Sequence, residues 1–364
     1  MLRRCLEWPV HFPAGHSSKK RRLYQVQGSG LRSSSPGRRS TTTKVNTVLG
    51  TVSADELGQT LIHEHLVVGY PGWDCDALAP PYDREAAAAA CVGALQEAKS
   101  YGMRTLVDAT PNDLGRDVEL QRIVADRLGI NIICATGMYR EGRGKVGYLK
   151  FRSQLFDTTT EVYETFTHEI TKGIGDTGVK AGVIKVATGR GEISPYEESI
   201  LKAAARAQKE TGVPIITHTE TGTMGPEQAD LLISEGADPK RIVIGHIGGN
   251  ADLQYHVSVL EKGVYIAFDR LGISSLFPDS LRRACIIGLI GIGYANRIML
   301  SHDYSPYWTG RPWEMPESVR KLDANWSYVH VFKNIIPALK EAGVGDDKIN
   351  VMMVENPRRL FAAQ

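Results

Sequence analysis

The chain of 364 residues predicts an α/β fold, a (β/α)8 TIM barrel filling residues 45–364 as a single domain. Three observations predict it. Strand and helix signals alternate from Lys44 onward, eight strand signals in all. Several strands are near-continuous apolar runs without polar alternation, as in Arg241-Ile-Val-Ile-Gly-His246, the mark of strands buried on both faces of a parallel sheet. Histidines and an acid stand where strands run out, the end of a barrel strand that carries chemistry. A doubly wound open sheet would want a Gly-rich phosphate loop after its first strand, and Leu66-Val-Val-Gly-Tyr-Pro-Gly72 is no such loop.

In chain order the strands are expected at 59–65, 104–108, 130–135, 181–186, 214–218, 241–246, 264–268 and 298–301. The clearest helices are expected at 83–101, 117–128, 194–211, 225–235, 252–262 and 278–291. A glycine recurs just before the strand that follows: Gly102, Gly129, Gly212, Gly236 and Gly263. That is the residue that ends a helix and turns the chain into the next strand.

Composition narrows the classes. Residues 1–44 hold ten of the 43 Lys/Arg and one of the 41 Asp/Glu, which leaves 33 bases and 40 acids beyond them. The barrel is therefore mildly acidic, which argues against a nucleic-acid surface. The basic, Ser/Arg-rich segment 1–44 lacks the aliphatic residues to offset its chain entropy, so disorder is expected there, as a leader, a tag or a mis-assigned start. No apolar region follows Arg3-Arg4, and the longest apolar stretch, near 284–295, is too short for a bilayer, which needs roughly 20 residues. Five cysteines with no C-x-x-C spacing fit a reducing compartment, and the cytoplasm is the expected location.

The chemistry sits in six residues. His63 and His65 close Gln59-Thr-Leu-Ile-His-Glu-His65; His218 ends Pro214-Ile-Ile-Thr-His218; His246 ends the sixth strand; Asp303 follows Ile298-Met-Leu-Ser-His-Asp303. Strand alternation turns His63 and His65 one way and Glu64 the other. Imidazoles and carboxylates are ordinary ligands of divalent cations, zinc first, with cobalt, manganese and iron also accepted. Lys185, inside Ala181-Gly-Val-Ile-Lys-Val186, is the telling residue. Burial lowers a lysine's pKa, and a neutral amine can take up CO2 as a carbamate whose two oxygens can bridge two cations. A lysine pointing outward, or one forming a Schiff base, is the competing reading.

Taken together, Thr60-Leu-Ile-His-Glu-His65, Gly182-Val-Ile-Lys-Val-Ala187, Pro214-Ile-Ile-Thr-His218, Ile244-Gly-His246, Phe268-Asp-Arg270, Ser301-His-Asp303 and Glu355-Asn-Pro-Arg-Arg-Leu-Phe361 resemble the phosphotriesterase family of the amidohydrolase superfamily. The pattern is similar to that of the phosphotriesterase-like lactonases. The resemblance implies that His63, His65 and Asp303 hold a more buried metal and His218 and His246 a more exposed one. Carboxylated Lys185 and a hydroxide would bridge the two, with the hydroxide as nucleophile. Asp303 would take the proton and deliver it to the leaving group. A homodimer is implied in the same way.

Tyr139, after the third strand, and Arg270, after the seventh, look like the lactonase branch, as does the short seventh loop before Pro278; loop packing for Tyr139 and a salt bridge with Asp269 or another acid for Arg270 are the competing readings. Trp308, with Tyr307 and Trp313, lies in a long loop at 304–325, where these aromatics either line an apolar slot or pack the loop against the barrel. One departure stands out: Gly249 occupies the place of an aspartate that often relays protons outward, with Asn250 and Asp252 as the nearest substitutes. His168, His256 and His302 read as structural or surface residues. The expected function is hydrolysis of lactones or related small-molecule esters, with promiscuous phosphotriesterase activity. The alternatives are an organophosphate triesterase, another ester or amide hydrolase, and a metal-stabilised barrel that binds ligand without turnover.

Overall fold

The computed structural model describes residues 43–144 and 146–362. The expectation of disorder falls on residues that lie outside these, apart from Thr43 and Lys44; Lys44 opens a hairpin strand instead (Lys44–Thr47, paired antiparallel with Gly50–Ser53).

Eight parallel strands follow one another around the sheet in sequence order. They are β1 (Gln59–Glu64), β2 (Met103–Asp108), β3 (Asn131–Gly137), β4 (Val183–Thr188), β5 (Ile215–Thr219), β6 (Ile242–Ile244), β7 (Tyr265–Phe268) and β8 (Ile298–Leu300). The strand period sorts their side chains into two cores. Val183, Ile216, Val243, Ala267 and Met299 fill the barrel interior, and Leu360 and Phe361 close its lower end. Ile184, Ile215, Ile244, Ile266 and Leu300 face the surrounding helices.

The helices form where expected: α1 (Arg84–Ser100), α2 (Val118–Leu128), then α5 (Pro195–Thr211), α6 (Gly225–Ser234), α7 (Leu253–Leu260) and α8 (Asp279–Gly291). Asp83, Asp117 and Ser194 accept hydrogen bonds from the first turns of α1, α2 and α5. Gly129 and Gly212 end α2 and α5 at φ 61° and 71°, a conformation glycine adopts without steric cost. Two helices were not expected, α3 (Val146–Arg152) and α4 (Thr158–Thr171). The second opens on three threonines, poor helix formers, and is held by Val162, Phe166 and Ile170, buried at four-residue spacing. The loop expected at 304–325 is also not free: Tyr307–Trp308 pairs with Val67–Val68, and Glu317–Leu322 is helical.

The ladder stops between β8 and β1, and a different set of bonds closes the ring. Asp303 N–H donates to the His63 carbonyl (3.1 Å), and His63 N–H donates to Ser301 Oγ (3.0 Å). The Glu64 carboxylate, fully buried, accepts from Ser301 Oγ (2.7 Å), His302 N (3.0 Å), His302 Nδ1 (2.7 Å) and Tyr304 N (3.0 Å). A charge taken out of water persists when its lone pairs are filled in this way.

Removing that carboxylate leaves four buried donors unpaired at the seam. Glu64→Ala is expected to cost about 3 kcal/mol or more in urea unfolding of the metal-free protein. A cost under about 1 kcal/mol, the range of ordinary surface changes, would show that the seam holds without it.

Candidate metal centre

The six residues come together at the C-terminal end of the barrel, all with buried or nearly buried side chains. Strict alternation along β1 does not do this alone. Ile62 belongs to the barrel interior, so an unbroken strand would turn His63 outward. The register with β2 slips between Leu61↔Leu106 and Glu64↔Asp108, three steps of one strand against two of the other. This bulge brings His63 into the interior above Ile62. The β4 side chains need no such device: Val183 and Ala187 line the inside, and Lys185 lies between them on the same face.

Asp303 Oδ1 lies 3.0 Å from His65 Nε2 and 3.5 Å from His63 Nε2, and its Oδ2 lies 3.6 Å from His246 Nε2. Lys185 Nζ is 2.6 Å from His63 Nε2. His218 packs edge-on against His246, with ring centroids 4.5 Å apart. His246 and Asp303 hold left-handed backbone angles, φ 57° and 55°, which for residues with a Cβ are sparsely populated and cluster at functional sites.

Each imidazole is oriented from behind. His63 Nδ1 bonds Asp269 Oδ2 (2.7 Å), His246 Nδ1 bonds Asp269 Oδ1 (2.9 Å), and His65 Nδ1 bonds Thr110 Oγ1 (2.8 Å). Burial alone would raise the Asp269 carboxyl, but the hydrogen bond from His63, with the Lys185 and Arg270 charges, outweighs it and holds the group below its ordinary value. An ionised Asp269 only accepts, so both Nδ1 atoms carry hydrogen and both Nε2 lone pairs face inward. Asp269 also stands within 4.8 Å of His63 and His246 in a geometry that could ligate a metal, as do His63, His65 and Asp303. Its contacts to the two Nδ1 atoms are at hydrogen-bond distance, so it serves as the holder of two candidate ligands. Neither Asp269 nor Thr110 was singled out from the sequence for this role. Asp269 was visible only as a motif residue, and Thr110 carries no local signal.

The donor set fits divalent cations. Imidazole lone pairs and a carboxylate turned towards one another repel unless positive charge lies between them. Burial, the largest influence, pushes the pKa of His218 down to about 3 and those of His63 and His246 below the ordinary value, so the rings are neutral, the form that ligates. Burial likewise brings Lys185 down to about 8. Burial would raise Asp303, yet the Arg270 guanidinium bonded to it holds it well below the carboxylate range.

Beside the centre lies a cavity of about 290 Å³ lined by Val68, Leu114, Tyr139, Ile273, Leu276 and Trp308, with Arg270 and Asp303 at its floor. Tyr139 stands edge-on to His218 (5.2 Å between centroids), and Arg270 Nε bonds Asp303 Oδ2 at 2.9 Å. Of the other loop aromatics, Tyr307 turns to Tyr82 and Trp313 leans on Trp308, while Trp326, not singled out from the sequence, joins the lining. A larger cavity, about 710 Å³, opens at the opposite face between Lys44 and Arg241, away from all six residues.

Gly249 has a steric reason. A Cβ there would stand 2.7 Å from the Thr221 carbonyl carbon, because the turn after β5 folds over it. The two suggested substitutes are engaged elsewhere: Asp252 caps α7, and Asn250 accepts from Asp252 N. His302 and His256 are buried structural residues, hydrogen-bonded to Glu64 and to the Ile247 carbonyl, and His168 is exposed.

The sequence profile of the phosphotriesterase family matches residues 43–361. The chain is 34% identical to an aryldialkylphosphatase of Saccharolobus solfataricus over 316 residues, 85% of this chain and 97% of that protein. It is 32% identical to a phospho-furanose lactonase of Mycoplasmopsis synoviae over 335 residues, 87% of this chain and 91% of that one. The solved structure of an organophosphorus hydrolase from Deinococcus radiodurans superposes with a TM-score of 0.86 at 46% identity, covering 90% of this chain and 100% of that one.

Two outcomes follow from this geometry. Gly249→Asp is expected to lower both stability and activity, since the carboxylate cannot enter without displacing the Thr221 backbone; a gain in turnover at unchanged melting temperature would contradict the packing. For the metal-free protein, His63, His218 and His246 have folded pKa values below the ordinary 6.5, so the unfolded chain binds more protons beneath that pH. Stability is therefore expected to fall as pH drops from 6.5 towards about 3, the folded value of His218. His218→Gln should make that fall shallower; superimposable melting-temperature profiles would show that His218 does not contribute.

Proposed function

Given that the chain belongs to the phosphotriesterase family, we propose that it is a binuclear metal-dependent hydrolase of lactones, with weaker activity on phosphotriesters. The observation that carries this reading is the convergence of His63, His65 and His246 on Asp303, with Lys185 against His63, beside one apolar slot. His63, His65 and Asp303 would hold the inner cation, His218 and His246 the outer one, and Lys185, as its carbamate, would be shared. When bound, the cations supply Lewis acidity at the ester oxygen and a nucleophile at neutral pH. The lowered pKa of Lys185 supports carbamate formation, because the reacting form is the neutral amine.

The chain's own residues do the rest. Asp303, held ionised, accepts the proton released at attack and returns it to the departing alkoxide. Arg270 fixes the carboxylate through its Nε bond and places a positive charge where negative charge develops. Burial raises the Tyr139 phenol, so the hydroxyl stays protonated and can donate to a ring oxygen of the substrate. Val68, Leu114, Ile273, Leu276 and Trp308 take an acyl tail. A phosphotriester needs room for three arms, and a single slot of about 290 Å³ favours a ring with one tail.

Free thiols at Cys75, Cys91, Cys134 and Cys285 support a reducing, cytoplasmic setting. Among the described residues no helix is long and apolar enough to cross a membrane. Assembly as a homodimer rests on the family alone.

The deciding measurement is kcat/KM for an aliphatic lactone and for an aryl dialkyl phosphotriester on one metal-reconstituted preparation. The lactone value is expected to be larger by about two orders of magnitude or more, roughly 3 kcal/mol in transition-state stabilisation. The reverse ratio would keep the metal centre and overturn the reading of the slot.

A further inference from the structure

Three of the four histidines at the centre are held in one way and the fourth in another. His63, His65 and His246 are bonded through Nδ1 and present Nε2. His218 is bonded through Nε2, 3.2 Å from Glu220 Oε2, so the nitrogen it has free is Nδ1. Glu220 stands two residues beyond β5, in the turn Glu220–Gly222. The same oxygen forms an ion pair with Arg140 Nε at 3.0 Å. Arg140 directly follows Tyr139, whose ring rests on His218. The loop after β3 therefore reaches His218 twice, through the phenol ring and through the Arg140–Glu220 pair.

The neighbourhood is built to keep this arrangement. Thr223 N and Oγ1 both donate to the Glu220 carbonyl (3.2 and 2.8 Å). Thr221 holds a left-handed φ of 55°, and the turn lies over Gly249, where a side chain would displace it. On the other side, Glu141 N donates to Glu197 Oε1 (3.1 Å), which ties the residue after Arg140 to the capped start of α5. Both partners are largely covered, with side-chain exposures of 17% for Arg140 and 27% for Glu220.

Resting on the two-cation reading above, we infer that Glu220, locked by Arg140, is a positioning residue that fixes the Nε2–H tautomer of His218 and so aims Nδ1 at the outer cation. A carboxylate behind a ligating imidazole fixes ring and tautomer, and its loss typically weakens metal binding about 10- to 100-fold. Here the effect falls on one cation of two, because the inner ligands are held by Asp269 and Thr110, which do not touch Glu220.

The test titrates zinc into the metal-stripped full-length protein against a chromophoric chelator and resolves the first and second equivalents. Glu220→Ala is expected to weaken the second equivalent about 10- to 100-fold and leave the first unchanged. Arg140→Met should act in the same direction with a smaller effect. Glu220→Gln should recover part of the affinity, since its amide oxygen accepts the same hydrogen bond. An unchanged second equivalent in Glu220→Ala overturns the role of Glu220 while leaving the two-cation centre intact. Equal weakening of both equivalents, with a lower melting temperature of the stripped protein, makes Glu220 a general fold residue and overturns it too. A wild-type chain that takes up a single equivalent fails the two-cation reading itself, and the inference with it.

Discussion

A barrel of eight strands must close on itself, and here the closing bonds belong to the residues that do the chemistry. Between β8 and β1 there is no ladder to complete the ring. Asp303 donates its backbone N–H to His63, Ser301 receives the His63 N–H, and the buried Glu64 carboxylate gathers the remaining donors of residues 301–304. A shift at the seam would carry two candidate ligands with it. The fold and this part of the candidate centre are thus one structure, and whatever stabilises the barrel also holds His63 and Asp303 in place.

The imidazoles of the centre depend on polar groups behind them. Asp269 spends both of its oxygens on His63 and His246, coupling two of the candidate ligands. Thr110 holds His65, and the Asp108 carboxylate at the end of β2 accepts from Thr110 N and Leu66 N, so the chain after β1 is fastened to the chain after β2. These bonds offset the strain of the left-handed backbone at His246 and Asp303. A centre held this firmly resists rearrangement, which suits sites where ligand geometry must be fixed before the cation arrives.

Charge balance explains why so many ionisable groups can share so little water. Lys185 and Arg270 oppose Asp303 and Asp269, and the imidazoles stay neutral because burial disfavours their charged form. The apolar slot beside them is built from the loops after β1, β2, β3, β7 and β8, all at the strand ends where a barrel gathers its variable residues. The loop after β8 is fixed by the short pairing of Tyr307–Trp308 with Val67–Val68, which keeps Trp308 against the slot and sends Tyr307 to Tyr82.

Local pattern determined a good deal. The apolar runs and the glycines before strands give the eight strands and six of the flanking helices, and the residues standing where strands run out give the six candidates that the fold brings together, because each is written in a short period or in a place along a strand. Tertiary structure decided the rest. The bulge that turns His63 inward arises from pairing with β2, and alternation along β1 cannot show it. Helix α4 exists because a hydrophobic stripe of three residues finds a partner, against the preference of its threonines. Asp269, Thr110 and Glu220 act through hydrogen bonds to rings distant in sequence or placed by a turn, and nothing local marks an acid as the holder of an imidazole. The emptiness at Gly249 was visible as a missing side chain, but its cause, the Thr221 backbone lying where that side chain would go, exists only once two loops have met.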